Sequence, residues 1–152
     1  MSNAPDDFID IVRCLREATC EFIVVGAYAL AANGYPRATQ DLDILVSPTP
    51  ANAASVLRAL TAFGAPIDAH GITAKDFETP GNVYQIGLPP IRIDILTSIE
   101  GVTFAEAVAD HVEGDIGGEP VRFIGREAQI RNKRATGRTK DAADAEALEA
   151  LR

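Results

Sequence analysis

Hydrophobic and polar positions along this chain follow two distinct rhythms. Phe8, Ile11, Val12 and Leu15 recur at the i, i+3, i+4, i+7 spacing of one helix face, which predicts a helix over residues 6–18. The apolar run Phe22 to Val25 predicts a strand over 21–26 that ends at Gly26-Ala27 and passes into a short Ala-rich helix from Tyr28 to Asn33. Gly34 and Pro36 stop that helix, and residues 35–40 read as a loop. The next apolar run carries two acids. Its period of two places Asp41 and Asp43 on one face and Leu42, Ile44 and Val46 on the other. Val56, Leu57, Leu60 and Phe63 share one face of a helix over 51–63, closed by Gly64 and Pro66.

In the second half, Val83 to Leu88 and Ile91 to Thr97 predict two strands joined by Pro89-Pro90. A helix follows near 103–111, then a hairpin over 112–124 turning at Gly117-Gly118. An Ala-rich helix runs from Lys140, with Leu148 and Leu151 on the face of Asp141 and Asp144. The expected class is α/β (α+β), a small mixed β-sheet with flanking helices.

Composition narrows this picture. The 152 residues suit one domain over 1–152 with a proper core, and 47% apolar residues without low-complexity tracts exclude a disordered chain. No apolar stretch approaches the ~20 residues that span a bilayer, and MSNAPDD is neither basic nor apolar, so a cytoplasmic protein with no membrane partner is expected. Cys14 and Cys20 lack a C-x-x-C spacing and read as buried or idle thiols, while His70 and His111 are isolated and take no role. The net charge of −8 argues against an extended nucleic-acid surface. The charge is segregated, however: residues 122–140 carry +6 and the remainder −14.

The candidate chemistry begins with Asp41 and Asp43, roughly 6 to 7 Å apart on one strand face. Two such carboxylates are costly to hold together without a cation, and hard divalent ions such as Mg²⁺ take oxygen ligands of this kind. The other reading is a polar strand entrance open to solvent. Gly26, at a strand-to-helix turn, lets backbone approach a ligand and offers helix N–H groups to an anion. Arg37 and Thr39 lie on the loop before Asp41, within reach of whatever it binds. Asp94 is a lone acid in an apolar strand, which requires a partner, and Arg92 two residues away is one candidate.

Together these residues resemble the signature of the DNA polymerase β-type nucleotidyltransferase superfamily: a hydrophobic residue and Gly26, thirteen residues between Ala27 and Asp41, and an acidic pair inside an apolar strand. More narrowly, GYPRATQDLDILV resembles small bacterial nucleotidyltransferase-like proteins related to the AbiEii type of toxin. Ala27 departs from the usual Gly or Ser at a position that works mainly through its backbone. The run Lys133-x-x-x-Gly137-Arg138-x-Lys140-Asp141-x-x-Asp144 resembles the C-terminal motif of the same group.

The resemblance implies a palm-like nucleotidyltransferase fold with a catalytic core about 21–100 and a basic helical segment about 122–152. It implies transfer of a nucleoside monophosphate from NTP to RNA, tRNA in particular, or to a partner protein in a toxin–antitoxin setting. Asp41, Asp43 and Asp94 would hold Mg²⁺ or Mn²⁺. Gly26, Ala27, Arg37 and Thr39, with Lys133, Arg138 and Lys140, would bind the nucleotide, Asp141 and Asp144 orienting those bases. The alternative from another class is a non-catalytic nucleotide- or partner-binding module of the same fold.

Overall fold

A computed structural model describes residues 4–88 and 90–151. The elements, in chain order, are α1 (Asp6–Glu17), β1 (Phe22–Val25), α2 (Gly26–Ala32), β2 (Asp41–Val46), α3 (Pro50–Phe63), α4 (Ala74–Glu78), β3 (Val83–Ile86), β4 (Arg92–Leu96), α5 (Phe104–Ala109), β5 (Val112–Ile116), β6 (Glu119–Phe123), α6 (Arg126–Ala135) and α7 (Thr139–Ala150). The strands form one mixed sheet in the order β3-β4-β2-β1-β6-β5. β2 runs parallel to β4 and β1 parallel to β6, and the remaining neighbours are antiparallel. This is the mixed α/β class expected. Among the described residues no helix is long and apolar enough to cross a membrane.

The core forms where the periodicities converge. Phe8, Ile11, Val12 and Leu15 of α1 are fully buried, as are Ile23, Val24, Leu42 and Ile44 of the central strands. Asn52 ties α3 to the ends of β1 and β2: its amide accepts from Glu21 N–H at 2.7 Å and donates to the Glu21 and Ser47 carbonyls. Bound this way, a buried amide stabilises the junction where it would otherwise be costly. Gly117 and Gly118 both take positive φ, 58° and 92°, which a tight two-residue hairpin between β5 and β6 requires.

Several expectations are corrected. α2 starts at Gly26 rather than Tyr28. Strands β3 and β4 are shorter than expected, and the Pro89 half of their predicted Pro89-Pro90 junction lies outside the described residues. A one-turn helix, α4, stands where no element was expected; its Thr73/Asp76 capping box holds a segment too short to show periodicity. The basic segment contains a complete helix of its own, α6. Leu148 is fully buried, but Leu151 falls beyond α7 and is 37% exposed, so it does not share the buried face.

Candidate active site

The acidic floor of the site follows from the register of two parallel strands. Asp41 pairs with Arg92 and Asp43 with Asp94, so all four side chains stand on one face of the sheet. Burial pushes the Asp43 carboxyl up to about 7, aided by the charge and hydrogen bond of Asp94 and then by Asp41, with Arg92 pulling the other way. Two carboxyls this close resist ionising together.

Asp94 is only 8% exposed, and it has the partner such burial demands. Arg92 Nε donates to Asp94 Oδ1 at 3.0 Å, while Arg92 Nη2 lies 3.2 Å from both Asp94 Oδ2 and Asp41 Oδ2. The three acids therefore form a cross-strand pair, Asp43 and Asp94, with Asp41 joined to Asp94 through a guanidinium. Among the described residues no three acidic, His or Cys side chains form a ready-made metal cage.

The turn after β1 presses directly on this pair. Gly26 adopts φ +70°, and a Cβ added there would sit 3.0 Å from Asp43 Cγ and closer still to its carboxylate oxygen, so only glycine fits. Its carbonyl accepts from Gln129 Nε2 at 3.0 Å, and Gln129 Oε1 accepts from Asn33 Nδ2 at 2.9 Å. Gln129, 1% exposed on α6, thus clamps both ends of α2. The sequence reading missed it, because an isolated Gln in a basic stretch carries no local signal. Thr39 is spent on local order: its hydroxyl bonds to the backbone of Asp41, holding the loop where it enters β2.

The opposite wall comes from α6, α7 and the loop before β2. Lys133 Nζ lies 3.3 Å from Asp141 Oδ1 and 3.2 Å from Asp144 Oδ2. Arg138 Nε reaches Asp141 Oδ2 at 2.6 Å, and Arg37 Nη1 reaches Asp144 Oδ1 at 2.6 Å. Burial pushes the Asp141 carboxyl up, but hydrogen bonds from Thr136 and Arg138 and the charge of Lys133 outweigh it and hold it below the usual range. Asp144 Oδ2 is buried and accepts no hydrogen bond among the described residues, its contact with Lys133 being one of charge alone. Lys140 is exposed.

Every residue singled out in the sequence lines one cleft of about 630 Å³ between these walls, and Val83, Gln85 and Leu96 join them from β3 and β4. A neighbouring hollow of about 520 Å³ shares Gly26, Asp43, Lys133 and Arg138 and extends to Ser98 and Asn132. The two hollows meet at Gly26, Asp43, Lys133 and Arg138.

No protein-family model matches the chain, and no protein of curated function matches it in sequence. Solved structures do match in fold. A candidate nucleotidyltransferase of Thermotoga maritima superposes with TM-score 0.59 at 12% identity over 99% of this chain and 98% of its own. The crystal structure of ANT(2″)-Ia in complex with adenylyl-2″-tobramycin gives TM-score 0.56 at 17% identity over 95% of this chain and 91% of that one. The solution structure of the antibiotic-resistance factor ANT(2″)-Ia gives 0.52 at 19% over 95% and 88%. This chain therefore shares, along nearly its whole length, the fold of these structures, one of which is described as a candidate nucleotidyltransferase.

Proposed function

We propose that this protein is a divalent-cation-dependent nucleotidyltransferase that moves a nucleoside monophosphate from NTP to an acceptor hydroxyl. The observation that carries the reading is the register pairing of Asp43 with Asp94 against the Gly26 turn, opposite a cationic wall. The shared fold supports it. In the reaction the acceptor oxygen bonds the α-phosphorus. The bond to the leaving phosphate breaks with its electron pair going to pyrophosphate, and the hydroxyl proton passes to water.

The donor set fits Mg²⁺ or Mn²⁺. Such ions commonly use one or two carboxylates and complete their shell with substrate phosphates and water, so the absence of a three-ligand cage is no obstacle. Asp43 and Asp94 would hold the ion with Asp41 beside them, and its charge would neutralise the phosphates in transfer. Lys133, Arg138, Lys140 and Arg37 bind the triphosphate by charge-assisted hydrogen bonds, and the amides of Gly26 and Ala27 approach it from the α2 turn. Asp141 and Asp144 keep Lys133, Arg138 and Arg37 aimed at the cleft. Asp94, on the β3 side of Asp43, orients the acceptor hydroxyl.

The test is thermal stabilisation by Mg²⁺ with NTP, followed by pyrophosphate release when labelled NTP is incubated with total RNA or lysate. Label entering RNA or a protein would support the AbiEii-like toxin reading; stabilisation without pyrophosphate from any NTP would end the enzyme proposal. One observation favours the binding-module alternative: Arg92 already supplies positive charge to Asp41 and Asp94. In that case Asp43→Asn would leave NTP binding and its metal dependence unchanged.

A further inference from the structure

One row of side chains crosses the cleft floor. Val25 pairs with Asp43, Asp43 with Asp94, and Asp94 with Gln85, through the strand order β1-β2-β4-β3. In the next row on the same face, Leu96 pairs with Val83. The Gly26 turn and Gln85 therefore stand at opposite ends of the row, about three strand spacings or ~14 Å apart. The acid pair lies between them.

The cleft side of β3 is not part of the core. Tyr84 and Ile86 anchor the strand at 9% exposure each, whereas Val83 is 52% exposed and Gln85 is exposed. Among the described residues the Gln85 carboxamide makes no hydrogen bond, although Val83, Gln85 and Leu96 all line the cleft. An aliphatic floor beside a carboxamide with spare donors and acceptor is a surface built for something flat with a polar edge.

In-line displacement sets attacking and leaving oxygens on opposite sides of the transferred phosphorus. With pyrophosphate leaving toward Gly26 and the cations of α6 and α7, the acceptor enters from the β4–β3 side. Resting on the nucleotidyl-transfer reading, we infer that Gln85, Val83 and Leu96 form the acceptor subsite and that the acceptor presents a nucleobase there. A base lays its flat face on the two aliphatic side chains, and its edge matches the paired donor and acceptor of a carboxamide.

The test uses the full chain, labelled for NMR, with Mg²⁺ and, of the four α,β-methylene NTP analogues, the one that binds tightest filling the donor site. Adenosine, guanosine, cytidine, uridine and tobramycin are then titrated separately. At least one nucleoside should shift the Gln85 side-chain amide and give contacts from its ring protons to the Val83 and Leu96 methyls. Gln85→Ala should weaken that nucleoside about tenfold while leaving analogue affinity and melting temperature unchanged. The subsite is overturned if nucleosides stay silent on analogue-loaded protein, bind without touching Val83, or ignore Gln85→Ala, or if tobramycin makes these contacts instead. If none of the four α,β-methylene NTP analogues binds, the transfer reading falls first and takes this inference with it.

Discussion

On the sheet wall of the cleft, three carboxylates of β2 and β4 face one guanidinium; on the helix wall and its adjoining loop, four cations face two carboxylates. With all groups ionised, one wall carries two surplus negative charges and the other two surplus positive ones. The consequences appear in the acids. Asp43, beside another acid, is raised to about 7, whereas Asp141, among cations and hydroxyls, is held low. Two facing ion-pair clusters of opposite surplus charge thus favour opposite ligands, a cation on the sheet and an anion on the helices. On the proposed reading, a metal–triphosphate complex satisfies both at once.

The largest expected effect of breaking this contrast is at Asp94. Asp94→Ala should abolish measurable nucleotide transfer while NTP affinity stays within about threefold, because a group that orients the acceptor acts in the transition state more than in NTP binding. Arg92 keeps Asp41 as its partner, so stability should fall by less than the ~3 to 5 kcal/mol typical of a broken buried pair. A destabilised variant whose folded fraction retains full transfer would remove Asp94 from the reaction.

The two walls should respond oppositely to losing an acid. Asp144→Ala strands Arg37, while Lys133 keeps Asp141, and should cost about 2 kcal/mol of stability. Asp43→Asn relieves repulsion and should instead stabilise the protein in EDTA at pH 8, by on the order of 2 kcal/mol, while losing most of the Mg²⁺-induced rise in melting temperature. Denaturant titrations of both variants check the contrast, and equal destabilisation in the two would dissolve it.

Titration gives a third contrast. A carboxyl whose folded pKa is raised binds a proton that the unfolded chain has already released. The Asp43 contribution is therefore full below about 4 and lost as pH climbs through about 7. Asp141, held low, contributes above the ordinary carboxylate range and loses that contribution as pH falls. In EDTA, wild type should lose stability between about pH 4 and 7 relative to Asp43→Asn, and the stabilisation by Mg²⁺ should grow across the same window. Parallel pH profiles for the two proteins would assign the shift elsewhere. The smallest effect is expected at Lys140, exposed on the rim: Lys140→Ala should weaken NTP binding by roughly threefold to fivefold with no change in melting temperature, as calorimetry can check.

Much of this arrangement was legible along the chain because its signals are local. The period of two in β2 and β4 places Asp41, Asp43 and Asp94 on strand faces, and the 3.6 period of α1 and α3 marks their core stripes. The Gly26 turn announces itself in the same way, by the glycine that ends an apolar run. Local patterns specify which way a side chain points relative to its own element, and no more.

Partnership is non-local. That Asp94 lies beside Asp43 depends on β2 pairing with β4 in one register among several, since a slip of one residue would turn Asp94 to the other face. The same register delivers Arg92 to Asp41, 51 residues away in sequence. Packing of α6 against α2 carries Gln129 to Gly26, and packing of α7 buries Asp141 and Asp144 between Lys133, Arg138 and Arg37, where the chain alone shows charged residues on a helix. Which acids keep their charge was decided only there, because burial and the distance to the nearest opposite charge are properties of the packed molecule.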